Sequence, residues 1–209
     1  MNQRFEITSV FSKIIDFLVL NFLFIITSLP IITLGASMTA LYSVTLKMVK
    51  NEESYIARNY FRAFKRNFKA SVLPFLLFIF AFSILGINLV ISYQISGIFF
   101  MILRAISTIF LVCLSICAKY YFPILARFDF TFKQVWMHIP HMIVTHKGDF
   151  FFLVLLNIPI FILSLYSFYT AAFVIIIGCI IGFSVFAYIE SFLFRRIFQN
   201  YEIYPPTGA

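Results

Sequence analysis

The stretch FLVLNFLFIITSLPIITLGASMTALYSVTL, residues 17–46, runs for thirty positions without a charged side chain. A single α-helix of that length would be ~45 Å long, whereas one membrane crossing takes ~20 residues. Pro30 interrupts helix continuity, and threonine, here Thr33, is a residue type that caps a new helix. The stretch therefore predicts a compact hairpin of two membrane helices with a helix break at Pro30, Thr33 and Gly35. One kinked, tilted span is the alternative.

Two later blocks of the sequence are also almost free of charge. Residues 70–118 contain one charged residue, Arg104, and residues 150–189 contain none. Turn-forming residues lie near the centres of the blocks, at 93–97 and 166–170. Each block is long enough for two crossings. We therefore predict two further helical hairpins, one pairing 72–94 with 97–119 and the other pairing 149–167 with 170–194.

The composition of the whole chain agrees with the prediction of membrane-spanning hairpins. Of 209 residues, 62% are hydrophobic and 11% are charged, compared with ~45–50% and ~25% in a soluble domain. A soluble core of this size cannot hide so much apolar surface, which excludes a soluble globular protein, a disordered chain and a disulfide scaffold. The predicted fold class is an all-α, polytopic transmembrane bundle. It forms one integral membrane domain, residues 1–209, with six membrane helices, or five as the alternative.

The distribution of Lys and Arg predicts the orientation of the bundle. Residues 47–69 and 119–147 together hold eleven of the sixteen Lys and Arg, and the three predicted external turns hold none. Positive residues concentrate in cytoplasmic loops. We therefore expect a multi-pass cell-membrane protein with both termini in the cytoplasm. The net charge of +8 is then an orientation signal, and we expect no nucleic acid as a partner.

A basic and aromatic segment at about 52–69 follows the first hairpin. Its aromatic residues recur at helical spacing, and its basic residues form the neighbouring stripe. This pattern is typical of an amphipathic helix at the cytoplasmic membrane interface. We predict that it docks to anionic lipid headgroups or to a partner protein, with a simple topology anchor as the alternative. The candidate docking residues are Arg58, Phe61, Arg62, Phe64, Lys65, Phe68 and Lys69.

Polar residues inside predicted spans are expensive in hydrocarbon and are therefore candidate functional groups. Asn88 and Arg104 fall at similar depth in one hairpin, so we predict a hydrogen bond between them, with snorkelling of Arg104 to the interface as the alternative. Asp16, Lys119 and Glu190 lie near the inner ends of their spans, where pairing among them, or with lipid headgroups, explains their presence. Asn21 and Asn157 are expected to form interhelical hydrogen bonds.

We find no arrangement of residues in the sequence that predicts catalysis. His138 and His141 have the spacing of a helical metal pair, but Pro140 lies between them and no carboxylate is in register. Gly-rich phosphate loops, nucleophile elbows and zinc-protease helices do not occur. We therefore expect a non-enzymatic protein without catalytic residues, metal or cofactor.

The first hairpin and the loops after it resemble the YesL-like family of small integral membrane proteins from Gram-positive bacteria. The residues that carry this resemblance are Asn21, Leu29-Pro30, Thr33, Gly35-Ala36-Ser37, Ala40-Leu41-Tyr42, residues 60–69 and residues 121–128. Members are often encoded beside sugar ABC importers and glycan-degrading enzymes. The resemblance therefore implies an accessory or regulatory partner of the membrane subunits of a carbohydrate ABC importer. The alternative is a small channel or transporter acting on its own, with a site near the Pro30/Gly35 helix break.

Overall fold

The computed structural model describes residues 2–52, 55–128 and 130–203, and the regular structure within these ranges is entirely helical. A short 3₁₀ turn, Ile31–Thr33, connects α1 to α2, and one π-helical turn, Gly178–Gly182, connects α7 to α8. The predicted all-α class is confirmed. The helices are α1 (Asn2–Ser28), α2 (Leu34–Val49), α3 (Ile56–Gln94), α4 (Ile98–Arg127), α5 (Phe132–Thr145), α6 (Lys147–Tyr166), α7 (Phe168–Ile177) and α8 (Phe183–Ile203).

Five segments of the described chain are long and apolar enough to cross a membrane. They are Phe11–Ser28, Ile31–Val49, Ile56–Gln94, Ile98–Arg127 and Phe168–Gln199. Phe132–Thr145 and Lys147–Pro159, which meet at a bend of 98°, add a sixth if they form one broken span. The chain is thus a multi-pass membrane protein with five or six candidate spans, as predicted.

The thirty-residue stretch at 17–46 forms two helices, and Gly35 explains how closely the second approaches α3. A Cβ atom added at Gly35 would lie 2.6 Å from the Cβ of Phe75 and 2.7 Å from the carbonyl oxygen of Ser71. Only glycine permits this contact. Thr33 occupies the predicted capping position, but its hydroxyl makes no capping bond to α2. It donates instead to the carbonyl oxygens of Thr27 and Pro30.

The predicted interfacial helix at 52–69 is not a separate element. Residues 53–54 lie outside the described chain, and α3 runs unbroken from Ile56 to Gln94. The charged segment passes into the apolar one without a helix-breaking residue between them. Pro74 lies inside α3 and cannot donate to the carbonyl of Ala70. The Tyr121 hydroxyl of α4 donates to that carbonyl at 3.4 Å, which offsets the missing backbone bond.

Helix α2 is the centre of the bundle. Between Gly35 and Val49 all its residues are buried except Met38 and Lys47, and it packs against α1, α3, α4 and α8. Its small hydroxyl residues bond to neighbouring helices: Thr39 Oγ1 lies 2.9 Å from Ser71 Oγ of α3, and Thr45 Oγ1 lies 2.8 Å from Ser191 Oγ of α8. Small polar residues of this kind allow close helix packing in membranes.

The outer helices expose large apolar side chains, as lipid contact requires. The predicted turn at 166–170 is present, because Ser167 is extended and separates α6 from α7. Its side chain accepts a hydrogen bond from the Tyr169 N–H, so Ser167 caps α7. Tyr166, Phe168 and Tyr169 are each more than 80% exposed, and such aromatics are common at a membrane interface.

Candidate functional site

A buried ion pair connects α4 and α8. Glu190 is completely buried, and its Oε1 lies 2.6 Å from Lys119 Nζ, whose side chain is 29% exposed. Of the pairings expected among Asp16, Lys119 and Glu190, the one between Lys119 and Glu190 is present. An isolated carboxylate at this position would carry a large desolvation cost, which the ammonium group offsets.

Two further helices contribute to the same group of side chains. Asn157 Nδ2 of α6 donates to Glu190 Oε1 at 3.0 Å, and Lys119 Nζ donates to Asn157 Oδ1 at 3.2 Å. The Tyr42 hydroxyl of α2 donates to Glu190 Oε2 at 2.5 Å. We call Tyr42, Lys119, Asn157 and Glu190 the Glu190 cluster. It joins α2, α4, α6 and α8 in one hydrogen-bonded network.

The polar groups of the Glu190 cluster find their hydrogen-bond partners within the protein. Both oxygens of Glu190 accept from neighbouring side chains, and Asn157 Nδ2 also donates to the Leu153 carbonyl at 2.6 Å. Lys119 Nζ lies 5.1 Å from the centre of the Phe186 ring, a favourable cation–π contact. Because its polar groups are already partnered, the cluster fixes the relative positions of four helices.

A second polar contact holds α1 against the π-helical turn. Asn21 Nδ2 donates to the carbonyl oxygens of Gly178 and Cys179 at 3.1 and 2.7 Å, and Asn21 Oδ1 accepts from the Ser184 N–H at 3.1 Å. A π-helical turn disturbs the regular backbone bonding, and this one amide satisfies three of the backbone groups there. The predicted interhelical roles of Asn21 and Asn157 are therefore confirmed.

The predicted hydrogen bond between Asn88 and Arg104 is wrong. Asn88 Oδ1 accepts from Ser107 Oγ at 3.0 Å. Arg104 Nε donates to the Phe100 carbonyl at 3.2 Å, and its guanidinium carbon lies 5.2 Å from the centre of the Tyr93 ring. The Arg104 side chain thus extends toward the end of its hairpin, as the snorkelling alternative predicts.

The candidate docking residues all lie in the first part of α3, on its exposed side. Arg58, Arg62, Lys65 and Lys69 are exposed. Two aromatic side chains are exposed with them, Phe61 at 43% and Phe68 at 36%. Phe64 is half-buried, with its ring centre 5.5 Å from that of Phe68. The helix thus presents one continuous surface of mixed basic and aromatic character.

Sequence reasoning missed one member of the Glu190 cluster, Tyr42. It lies 148 positions before Glu190 in the chain. A tyrosine in an apolar stretch carries no signal of a charged partner, so the sequence alone could not reveal this contact. Among the described residues, no group of three or more His, Cys, Asp or Glu side chains is placed to hold a metal ion.

Comparison with known proteins finds a match between the first part of the chain and a family model. Residues 17–89 match the model of a family described as "Protein of unknown function, DUF624". The matched segment comprises the second half of α1 from residue 17 onward, all of α2 and most of α3. Neither the curated proteins nor the solved structures contain a match to the chain.

Proposed function

Starting from the family match over residues 17–89, we propose that the chain is a non-enzymatic accessory partner of a carbohydrate ABC importer. It acts in the cell membrane with both termini in the cytoplasm, the orientation favoured by the positive-inside rule. The resemblance to YesL-like proteins, which are often encoded beside such importers, supports the choice of partner.

The observation that carries this proposal is the exposed surface on the first part of α3. We call Arg58, Phe61, Arg62, Phe64, Lys65, Phe68 and Lys69 the α3 basic–aromatic surface. Exposed Phe rings lose contact with water when a partner covers them, which contributes ~25 cal/mol for each Å² of apolar area. The surrounding cations favour a partner face that carries carboxylates around an apolar patch. Anionic headgroups of the inner leaflet complement the same charges, and we propose them as the second contact.

The proposal is tested by purifying the tagged protein from its native membranes in a mild detergent. We expect the membrane subunits of a carbohydrate importer to be recovered with it. Charge reversal by Lys65→Glu with Lys69→Glu should lower that recovery at least tenfold. The matched control is Lys13→Glu with Lys133→Glu, which reverses two exposed lysines outside the surface and should leave recovery unchanged. Recovery of no importer subunit, or equal losses in the two variants, would contradict the proposal.

Independent transport at the Pro30/Gly35 break has less support. Gly35 lies in such close contact with α3 that packing accounts for the glycine without a substrate. The hydroxyls beside the break also bond to one another, since Thr27 Oγ1 lies 2.6 Å from the Tyr60 hydroxyl and 3.0 Å from Ser37 Oγ. Sugar or ion flux through liposomes that contain only this protein would favour the transport alternative.

A further inference from the structure

A cavity of about 170 Å³ lies where the ends of α2 and α4 meet the beginning of α3 and the last turns of α8. None of its described lining residues is acidic. Six of the sixteen Lys and Arg of the chain line it. We call these residues the basic cavity: Lys47, Lys50, Arg62, Arg66, Arg127 and Arg195.

The fold brings these cations together from four helices. Lys47 is in the last turn of α2 and Arg127 is the last residue of α4, so the negative ends of two helix dipoles face this region. Each such end supplies only about half of a negative charge, which is less than the charge of one lysine. Arg195 is fixed in place, because its Nη1 donates to the Val49 carbonyl at 2.8 Å.

Three of the cations have no partner within the described chain. The side chains of Lys47, Lys50 and Arg62 make no hydrogen bond or ion pair with any described residue. Like charges that line one cavity repel each other, and a bound anion relieves the repulsion. None of the four residues of the Glu190 cluster lines the cavity, and Arg127 follows Lys119 by eight residues, ~12 Å along α4.

We propose that the basic cavity binds a phosphate group. Arginine forks match the oxygens of a phosphate in pairs, and lysine adds compact positive charge. A water molecule occupies ~30 Å³ in the liquid, so the cavity has room for about five or six waters, or for one phosphate with a small substituent. The ligand is either the headgroup of an anionic phospholipid or a soluble phosphorylated compound, and both offer the same chemistry to the cavity.

The test measures thermal unfolding of the purified full-length protein with two probes. The soluble probe is inorganic pyrophosphate in neutral detergent, compared with chloride at the same ionic strength. The lipid probe is a nanodisc of phosphatidylglycerol, compared with one of phosphatidylcholine. The variant is Lys47→Gln with Lys50→Gln. The matched control, Lys13→Gln with Lys133→Gln, removes the same charge from exposed residues that belong neither to the cavity nor to the α3 basic–aromatic surface.

We expect one of the two probes to raise the melting temperature of the wild-type and control proteins. For the cavity variant the half-saturating pyrophosphate concentration should rise at least tenfold, or the difference in melting temperature between the two nanodiscs should be smaller than in the control. A response to pyrophosphate identifies a soluble phosphate compound as the ligand, and a response to phosphatidylglycerol alone identifies a headgroup.

Three results would overturn the proposal: no response to either probe, an equal response to chloride, or an equal loss in the control variant. The inference does not rest on the proposed importer partnership. Lys47→Gln with Lys50→Gln should leave the recovery of importer subunits unchanged, so the two proposals fail separately.

Discussion

Replacing Lys119 by methionine is the sharpest test of the Glu190 cluster. Methionine keeps most of the volume of the lysine side chain but leaves the fully buried Glu190 without its cation, 2.6 Å away in the wild type. Removing one partner of a buried ion pair costs about 3–5 kcal/mol. Because the Lys119 side chain is 29% exposed, we expect the lower end, about 3 kcal/mol of the free energy of unfolding.

The second part of the same test compares the cost of removing each partner of the ion pair. Glu190→Gln leaves Lys119 unpaired, but the lysine is already partly exposed and has a flexible stem that can reach more polar surroundings. We therefore expect Glu190→Gln to cost less than Lys119→Met. The double variant should cost less than the two single changes together, because neither charge is then left alone in the bundle.

The measurement is reversible unfolding in mixed detergent and SDS micelles, followed by tryptophan fluorescence. Lys133→Met, which removes an exposed lysine of α5, is the control and should change the free energy of unfolding by less than about 0.5 kcal/mol. The reasoning is refuted if Lys119→Met behaves like that control, or if Glu190→Gln is the more damaging change.

Three further predictions concern helix packing and the π-helical turn. Gly35→Ala should destabilise the protein by about 1–3 kcal/mol, since its methyl group would overlap α3. Gly86→Ala, which meets nothing within 4 Å, should be neutral or stabilising by about 0.5–1 kcal/mol in the same melting assay. Asn21→Leu removes the hydrogen bonds that one amide makes to three backbone groups near the π-helical turn, although the Gly178 carbonyl keeps the Phe183 N–H, and it should cost about 1–3 kcal/mol. Amide hydrogen exchange should become faster at this turn, and unchanged exchange would argue against the prediction. Thr39→Val and Ser71→Ala should show a coupling of about 0.6 kcal/mol in a double-mutant cycle, and strict additivity would contradict the bond between them.

The spans and turns of the bundle could be predicted because charge is so costly in hydrocarbon. The blocks at 17–46, 70–118 and 150–189, which together contain one charged residue, correspond to helices that the structure contains, and the turn at Ser167 falls within the predicted polar run. Each of these features depends on local sequence and on the thickness of a membrane. No knowledge of the three-dimensional neighbours is needed.

The predicted end of the basic helix at about residue 69 was wrong, because a change in charge does not end a helix. The change in charge at Lys69 marks a change in the expected surroundings of the helix, but it says nothing about backbone dihedral angles. Residues 69–73 contain no strong helix breaker, so α3 continues through them. Even Pro74 is tolerated, because Tyr121 approaches from α4, a contact that lies 51 positions away in sequence.

Polar partners were predictable only where few choices existed. Lys119 and Glu190 could be grouped with Asp16 as candidate partners because charges are scarce in the spans. Asn88 was assigned to Arg104 because of similar depth, yet Ser107, three residues further along α4, presents its hydroxyl to Asn88 instead. Depth fixes the level of a residue in the membrane, whereas helix rotation decides which neighbour it meets. The role of the α3 basic–aromatic surface stays a prediction.

The order in which the residues of the Glu190 cluster are synthesised affects how the protein inserts into the membrane. Lys119 leaves the ribosome seventy-one residues before Glu190, and at ~5–20 residues per second this interval lasts several seconds. During that time Tyr42, Lys119 and Asn157 lack the carboxylate that later joins them. The insertion of α8 is therefore the step that completes the polar interior, and a chain arrested before it presents an unneutralised lysine to the lipid or to the machinery that monitors membrane proteins.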